Sequence, residues 1–424
     1  MTNRDSLDKI PLRQGSSQQQ EIQQPDYLQE RQKSDQDILP PLGLWLENAK
    51  TDLAFSDFLS AIYRSDCVSG LSPLAHKAVN LIGPSDPQKS YLQALVYEEE
   101  QSPFWVLVAD ELRARLAAQE LRAFLGDDVF VFSSRDLHLL DARAASRDQE
   151  RRRLAILQRI RSGAYKALIV PAAALLDKLP PPEVFDDAEI ELAQGDRIDP
   201  EELSKRLSAA GYERSKLAGQ SGQYARHGDV IDIVVTQAAA ELPLVGLRIS
   251  FFDIEIDDLR LIDLETQRST GAVRKFVVPP ARELLLKEDQ IEQLAGEIRE
   301  AGEDAARTAL QQGGSRTDYE RLRLLGSRDA EKLLGKIPFA ALDRWLPLIY
   351  PDSASLFDYA SPETRFWLDE MAKFSKQLDA EHASWIQELT SGIENNHALP
   401  LTEEARGTPS AVRRWIDRRK SFIS

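Results

Sequence analysis

Residues Gly222 to Ser269 read GQYARHGDVIDIVVTQAAAELPLVGLRISFFDIEIDDLRLIDLETQRS. Between Leu247 and Asp253 the side chains alternate. In an extended strand Leu247, Ile249 and Phe251 point one way while Arg248, Ser250 and Phe252 point the other. A large aromatic beside an arginine on the polar side of a strand is the composition of a protein-binding patch, because aromatic and guanidinium groups dominate interface hot spots. On pattern alone such a phenylalanine is more often covered by another part of its own chain, since single exposed apolar residues need no explanation.

The 424 residues are enough for two or three domains with a sizeable core. Net charge is −16, which repels a polyanion, so a general nucleic-acid coat protein is not expected. The single Cys67 excludes an intramolecular disulfide framework and a cysteine metal cluster, as in a reducing cytosol. No apolar run reaches the roughly 18 residues of a membrane span, and the polar start lacks a signal-peptide core, so a cytoplasmic protein is expected. His76, His138, His382 and His397 show no ligand spacing, and no metal or other cofactor is expected.

Residues 1–43 are rich in Gln, Ser, Asp and Arg and read as a disordered leader. Apolar spacing turns helical from Leu44 to Leu59. Phe104 to Ala109 (FWVLVA) is a continuous apolar run of the kind that forms a strand buried on both faces, followed by a helix over Glu111 to Leu125. Val129 to Phe132, an arginine-rich helix from Arg147 to Arg161, and Ala167 to Val170 continue the alternation of strand and helix. That order predicts an α/β domain on a parallel sheet with right-handed crossovers. Arg151, Arg152, Arg159 and Arg161 allow a DNA-contacting patch. A solvated helix face fits better, because Asp148 and Glu150 dilute the charge and no aromatic interleaves.

From Glu189 the pattern changes to short alternating strands with one helix, which Asp199 caps ahead of Pro200. This predicts a small antiparallel α+β unit over 189–279, inserted between two parts of the sheet domain, 44–188 and 280–380. Beyond Pro280 helical periodicity resumes from Glu283 through Arg299, a polar QQGGS break follows at Gln311 to Ser315, and residues 381–424 read as a helical tail with a basic, solvated finish.

Phe251-Phe252-Asp253, Glu255-Ile256-Asp257, Leu259-Arg260 and Thr266-Gln267-Arg268-Ser269 resemble, in order and spacing, the signature shared by the excision-repair protein UvrB and the N-terminal part of the bacterial transcription-repair coupling factor family, Mfd. Gly211-Tyr212, Gly222 to Ala225, Gly228, Asp232 and Pro280-Ala281-Arg282-Glu283 fit the same pattern, and the likeness runs from about Leu44 to Glu370. It implies a degenerate P-loop-NTPase-like sheet domain interrupted by the surface that docks UvrA. On that surface Arg248 and Phe252 match the family's Arg and Phe, and His227 stands where an Arg is expected. A neutral imidazole does not replace a forked, permanently charged guanidinium. Arg226 would take its place only if a bulge at Gly228 rotated the strand, because adjacent residues face opposite ways.

The resemblance also places UvrB's phosphate-binding loop at Gly70 to Lys77, where Ala75, His76 and Lys77 replace the Gly, Lys and hydroxyl that phosphate and magnesium need. Asp369 and Glu370 fall where UvrB carries its metal-binding carboxylates and, without a phosphate loop, read as vestigial. No tyrosine lies between Ser133 and Arg161, where UvrB carries its tyrosine-rich damage-probing hairpin. The expectation is a non-catalytic UvrA-binding module of transcription-coupled excision repair, cut short of the family's motor, with RNA polymerase and DNA as partners only of the full-length family protein. The alternatives are a UvrB-related ATP-dependent helicase or excinuclease subunit, and a direct DNA binder.

Overall fold

The computed structural model describes residues 46, 56–57, 60, 79–135, 147–235, 245–335, 340–395, 398–418 and 421–423. The expected leader, Cys67 and the Gly70, His76 and Lys77 positions lie outside the described residues. Of the helix expected over 44–59, Leu46, Ser56 and Asp57 are described; all three are helical, with Leu46 buried and the other two exposed.

The first half builds β1 (Val79–Asn80), α1 (Asp86–Glu100), β2 (Phe104–Val108), α2 (Glu111–Leu125), β3 (Val129–Val131), α3 (Arg147–Ser162), β4 (Ala167–Pro171), β5 (Lys178–Leu179) and α4 (Pro182–Ala188). The middle builds β6 (Ile190–Ala193), α5 (Pro200–Ala209), β7 (Glu213–Arg214), β8 (Gln223–His227), β9 (Val230–Val235), β10 (Val245–Phe252), β11 (Glu255–Ile262), β12 (Ser269–Ala272) and β13 (Lys275–Val278). The last part builds α6 (Ile291–Gln311), α7 (Arg316–Leu334), α8 (Leu346–Ile349), β14 (Ala354–Ser355), β15 (Arg365–Leu368), α9 (Met371–Glu394), α10 (Pro409–Ile416) and β16 (Ser421–Ile423).

The protein is α/β. One sheet is parallel, in the order β1-β16-β15-β2-β4-β3. Alternation along its strands separates two cores. Trp105, Leu107, Leu168, Val170, Phe366 and Leu368 face the side covered by α3, α9 and α10. Phe104, Val106, Val108, Ala167, Ile169 and Trp367 face α1 and α2. Both faces are covered, which is why FWVLVA reads as an unbroken apolar run.

The second sheet, β12-β11-β10-β9-β8-β7, is antiparallel except for its β7–β8 pair. It is drawn wholly from residues between β4 and β15 of the first sheet. Its inner face packs Ile231, Ile233, Leu247, Ile249 and Leu259 against Leu203 and Leu207 of α5 and against the β6–β13 ribbon. Asp199 caps α5, accepting from the Glu201 N–H at 2.7 Å.

Two boundaries and one surface differ from the sequence pattern. The helix expected from Glu283 begins only at Ile291, because the Glu283 carboxylate is tied to the sheet domain and the Leu285 N–H donates to the Tyr350 hydroxyl at 3.0 Å. The expected tail is not separate: α9 runs across residue 380, and β16 lies between β15 and β1. Of the α3 arginines read as a solvated face, Arg152 is exposed and Arg151 pairs within the helix with Asp148, but the rest are engaged elsewhere. Arg159 pairs with Asp128 at 3.2 Å, Arg161 with Glu189 at 2.9 Å and with Asp186, and Arg153 is fully buried.

Arg153 belongs to a buried ionic cluster that ties the segment after β13 to the sheet domain. Glu283 accepts from Arg153 Nε and Nη2, each at 3.0 Å, and from Arg135. Asp177 takes Arg153 at 3.1 Å and Arg406 at 3.3 Å, while Arg135 also pairs with Asp343 at 3.0 Å. Burial alone would raise the Glu283 pKa, but the two guanidinium groups hold it down at about 2. Next to it, Arg282 bridges Glu150 of α3 at 3.0 Å and Glu213 of β7 at 2.6 Å. Gly211, with φ +86°, lets this arginine pass, since a Cβ there would lie 2.6 Å from its Cγ.

Candidate docking site

The outer face of the second sheet is set by register. Ala225, Asp232, Arg248 and Arg260 lie in one row across β8, β9, β10 and β11, and His227, Val230, Ser250 and Asp258 lie in the next. Residues in register share a face, so His227 lies on the side of Arg248 and is exposed. A bulge on β11 opposite Ser250 and Phe251 turns both Asp257 and Asp258 away from the core while Phe251 stays buried. The β10–β11 turn follows at once, with Asp253 at φ 59°, a conformation Asp tolerates. Phe252, the last residue of β10, is therefore carried to the hairpin tip and is 80% exposed.

Arg248 is only partly exposed. Its Nε and Nη2 donate to Asp232 Oδ1 and Oδ2 at 2.7 and 2.8 Å, a two-pronged pair with a carboxylate that is itself buried. The hydrogen bond to Asp232 raises the Arg248 pKa further. Nη1 reaches the Gln267 carbonyl at 3.5 Å.

Arg226 does not join this face. It is in register with Ile231, on the α5 side, and pairs there with Glu201. Gly228 sits in the β8–β9 turn at φ +62°, and the β8–β9 register runs unshifted up to it, so no bulge rotates the strand. The outer face also carries a small apolar patch, Ala218, Ala225 and Val234 with Leu264 against them, beside which Leu217 is 59% exposed.

A second cluster lies at the edge of the parallel sheet. Asp369, at the end of β15, is buried and pairs with Lys89 at 2.7 Å and Arg113 at 2.6 Å. Glu370 is half exposed and reaches Lys373 at 3.2 Å. The strand–turn–helix that feeds this edge is β1, residues 81–85 and α1. It carries Gly83, Lys89 and Ser90 at the spacing of a phosphate-binding loop, G-x-x-x-x-G-K-S, with Gln88 in place of the second glycine. The loop expected at Gly70 to Lys77 lies outside the described residues; Gly83, Lys89 and Ser90 were not among the expected site residues, although their spacing is legible in the sequence. The functional groups are engaged internally. Lys89 is held by Asp369, the Ser90 hydroxyl donates to Glu120 at 2.7 Å, and the Gln88 side-chain oxygen accepts from the Ser85 N–H and hydroxyl at 2.8 and 3.0 Å. Desolvation, the largest single effect, lowers the Lys89 pKa, but the hydrogen bonds and charges of Asp369 and Asp86 together leave it raised.

Among the described residues no group of three or more His, Cys, Asp or Glu side chains is placed to hold a metal ion, and no helix is long and apolar enough to cross a membrane. The sheet with Phe252 at its tip falls within residues 190–284, which match the family model described as the UvrB interaction domain. This segment is similar to a UvrB interaction domain. The chain is 27% identical over 361 residues to the transcription-repair-coupling factor of Bacillus subtilis (strain 168), covering 84% of this chain and 29% of that protein. It is 24% identical to the transcription-repair-coupling factor of Haemophilus influenzae over 64% of this chain and 22% of the relative. It is 27% identical to UvrABC system protein B of Thermotoga petrophila over 60% of this chain and 39% of the relative. The family likeness read from the FFD, EID and TQRS segments is thus borne out, and the chain spans under a third of the coupling factors it matches.

Proposed function

We propose that this chain is a UvrA-binding module of transcription-coupled nucleotide excision repair, acting as part of a transcription-repair coupling factor and docking through the outer face of its UvrB interaction domain. The observation that carries this is Phe252, exposed at the tip of the β10–β11 hairpin within the matched segment, on the face that bears Arg248. An exposed aromatic beside a fixed guanidinium has the composition of an interface hot spot. His227, at the end of β8 on that face, is the third contact.

In this reading residues 189–279 are a docking domain inserted into a sheet domain whose nucleotide site is degenerate. The site-edge cluster supports the last point: Gln88 stands where a glycine must let the backbone wrap phosphate, and Lys89, Ser90 and Asp369 already have partners. The chain is then non-catalytic and uses no cofactor. RNA polymerase and DNA are partners of the longer coupling factor. The rival ATP-dependent subunit, favoured by the likeness to UvrABC system protein B, requires Lys89 to exchange Asp369 for a phosphate.

The test is titration of the chain with UvrA, with Phe252→Ala alongside. Binding by the wild type and its loss in the variant support the proposal; equal binding by both removes the docking assignment.

A further inference from the structure

The Asp232–Arg248 pair is built for more than packing. Guanidinium has two edges able to take a carboxylate, Nε with Nη2 and Nη1 with Nη2. Asp232 occupies the first with two short, charge-assisted bonds, and its own side chain is 5% exposed, so it cannot swing away with the arginine. The second edge has only the long contact from Nη1 to the Gln267 carbonyl, and the Arg248 side chain remains 29% exposed. The buried carboxylate therefore removes the rotamer freedom of a long side chain before any partner arrives and leaves its second edge without a carboxylate among the described residues.

We propose that Asp232 is a positioning residue of the docking face: it holds Arg248 so that the Nη1–Nη2 edge receives a carboxylate from the partner. The inference rests on the docking reading above. A partner carboxylate then meets an oriented donor pair on the edge that adjoins the one Asp232 holds, in the plane of the same guanidinium. The charge order is carboxylate, guanidinium, carboxylate. Asp232 touches nothing outside the chain and acts only through Arg248.

The test is a double-mutant cycle in the full chain, with UvrA affinity measured by calorimetry for wild type, Asp232→Asn, Arg248→Ala and the double variant. Asp232→Asn is expected to weaken binding about tenfold, the value of a lost charge-assisted hydrogen bond. In the Arg248→Ala background the same change should weaken nothing, and should tighten binding if the unpaired Asp232 repels the partner's carboxylate. A purely structural role for Asp232 would instead lower affinity by the same factor in both backgrounds, which overturns the inference, as does unchanged binding by Asp232→Asn. If Asp232→Asn does not fold, Asp232→Glu, which keeps the carboxylate one methylene further out, replaces it in the same comparison with a smaller loss expected. Absence of wild-type binding removes the docking reading and this inference together; wild-type binding with a null cycle removes the inference alone.

Discussion

Truncating Arg248 and truncating Phe252 have different consequences for folding, although both residues point to the outer face. Arg248→Ala leaves Asp232 buried in β9 without the two donors that reach it at 2.7 and 2.8 Å. Breaking a fully buried pair from one side costs about 3–5 kcal/mol, and leaving a buried hydrogen-bonding group unsatisfied costs about 1–3 kcal/mol. Because Arg248 is itself 29% exposed, water reaches the Asp232 carboxylate in part, and the lower range applies: about 2 kcal/mol. Phe252 is 80% exposed, so Phe252→Ala removes little buried surface and should change stability by less than about 0.5 kcal/mol. Each change should still weaken UvrA binding by about 2 kcal/mol, roughly thirtyfold. Urea unfolding of wild type and both variants, followed by circular dichroism, separates the two effects. Adding Asp232→Asn to Arg248→Ala should recover most of the lost stability, since a neutral amide replaces the stranded charge. An Arg248→Ala variant as stable as Phe252→Ala would refute the reasoning.

Other consequences follow from the same geometry. His227→Arg should tighten UvrA binding, because a forked cation replaces an exposed imidazole; calorimetry showing no gain would mean that position 227 does not contact the partner. Glu283, held at about 2, has a folded pKa below that of the unfolded chain, so its contribution, on the order of 3 kcal/mol, is present above about pH 4.5 and is lost as pH falls toward 2. Asp343, raised by burial despite Arg135, works in the opposite sense, at pH values above the ordinary carboxylate range. Acid titration of stability should therefore be flatter in Glu283→Gln than in wild type, from a lower plateau, and parallel curves would count against it. Asp369→Ala should destabilise the fold by about 2 kcal/mol by removing the buried carboxylate that Lys89 and Arg113 share, Asp86 staying within 3.3 and 3.5 Å of them, and neither it nor the wild type should hydrolyse ATP; phosphate release by the wild type would revive the enzymatic alternative.

What the sequence disclosed is tied to periodicity. Leu247, Ile249 and Phe251 alternate with Arg248, Ser250 and Phe252, and burial follows that pattern residue for residue because one face of the sheet is covered. Asp199 before Pro200, the apolar run at Phe104 and the helix around Leu157 were legible for similar local reasons. Pairings between distant positions were not. Asp232 and Arg248 meet only because β9 and β10 align in one register, and Arg153, Asp177 and Glu283 come from three separate segments, two of them outside any helix or strand. The Arg-rich helix looked solvated because its carboxylate partners, Asp128, Asp186 and Glu189, lie outside it. The three-residue β16 is too short to carry a pattern, and only its pairing with two remote strands identifies it. Pro84 and Pro87 obscure the helix start at Asp86, and with it the Gly83 to Ser90 spacing.

The central claim is that the outer face around Arg248 and Phe252 docks UvrA. It is tested most directly by titrating the full chain with UvrA from the same organism, against Phe252→Ala shown by circular dichroism to be folded. The account predicts saturable one-to-one binding by the wild type and roughly thirtyfold weaker binding by the variant. Equal affinities, or no binding by the folded wild type, would contradict it.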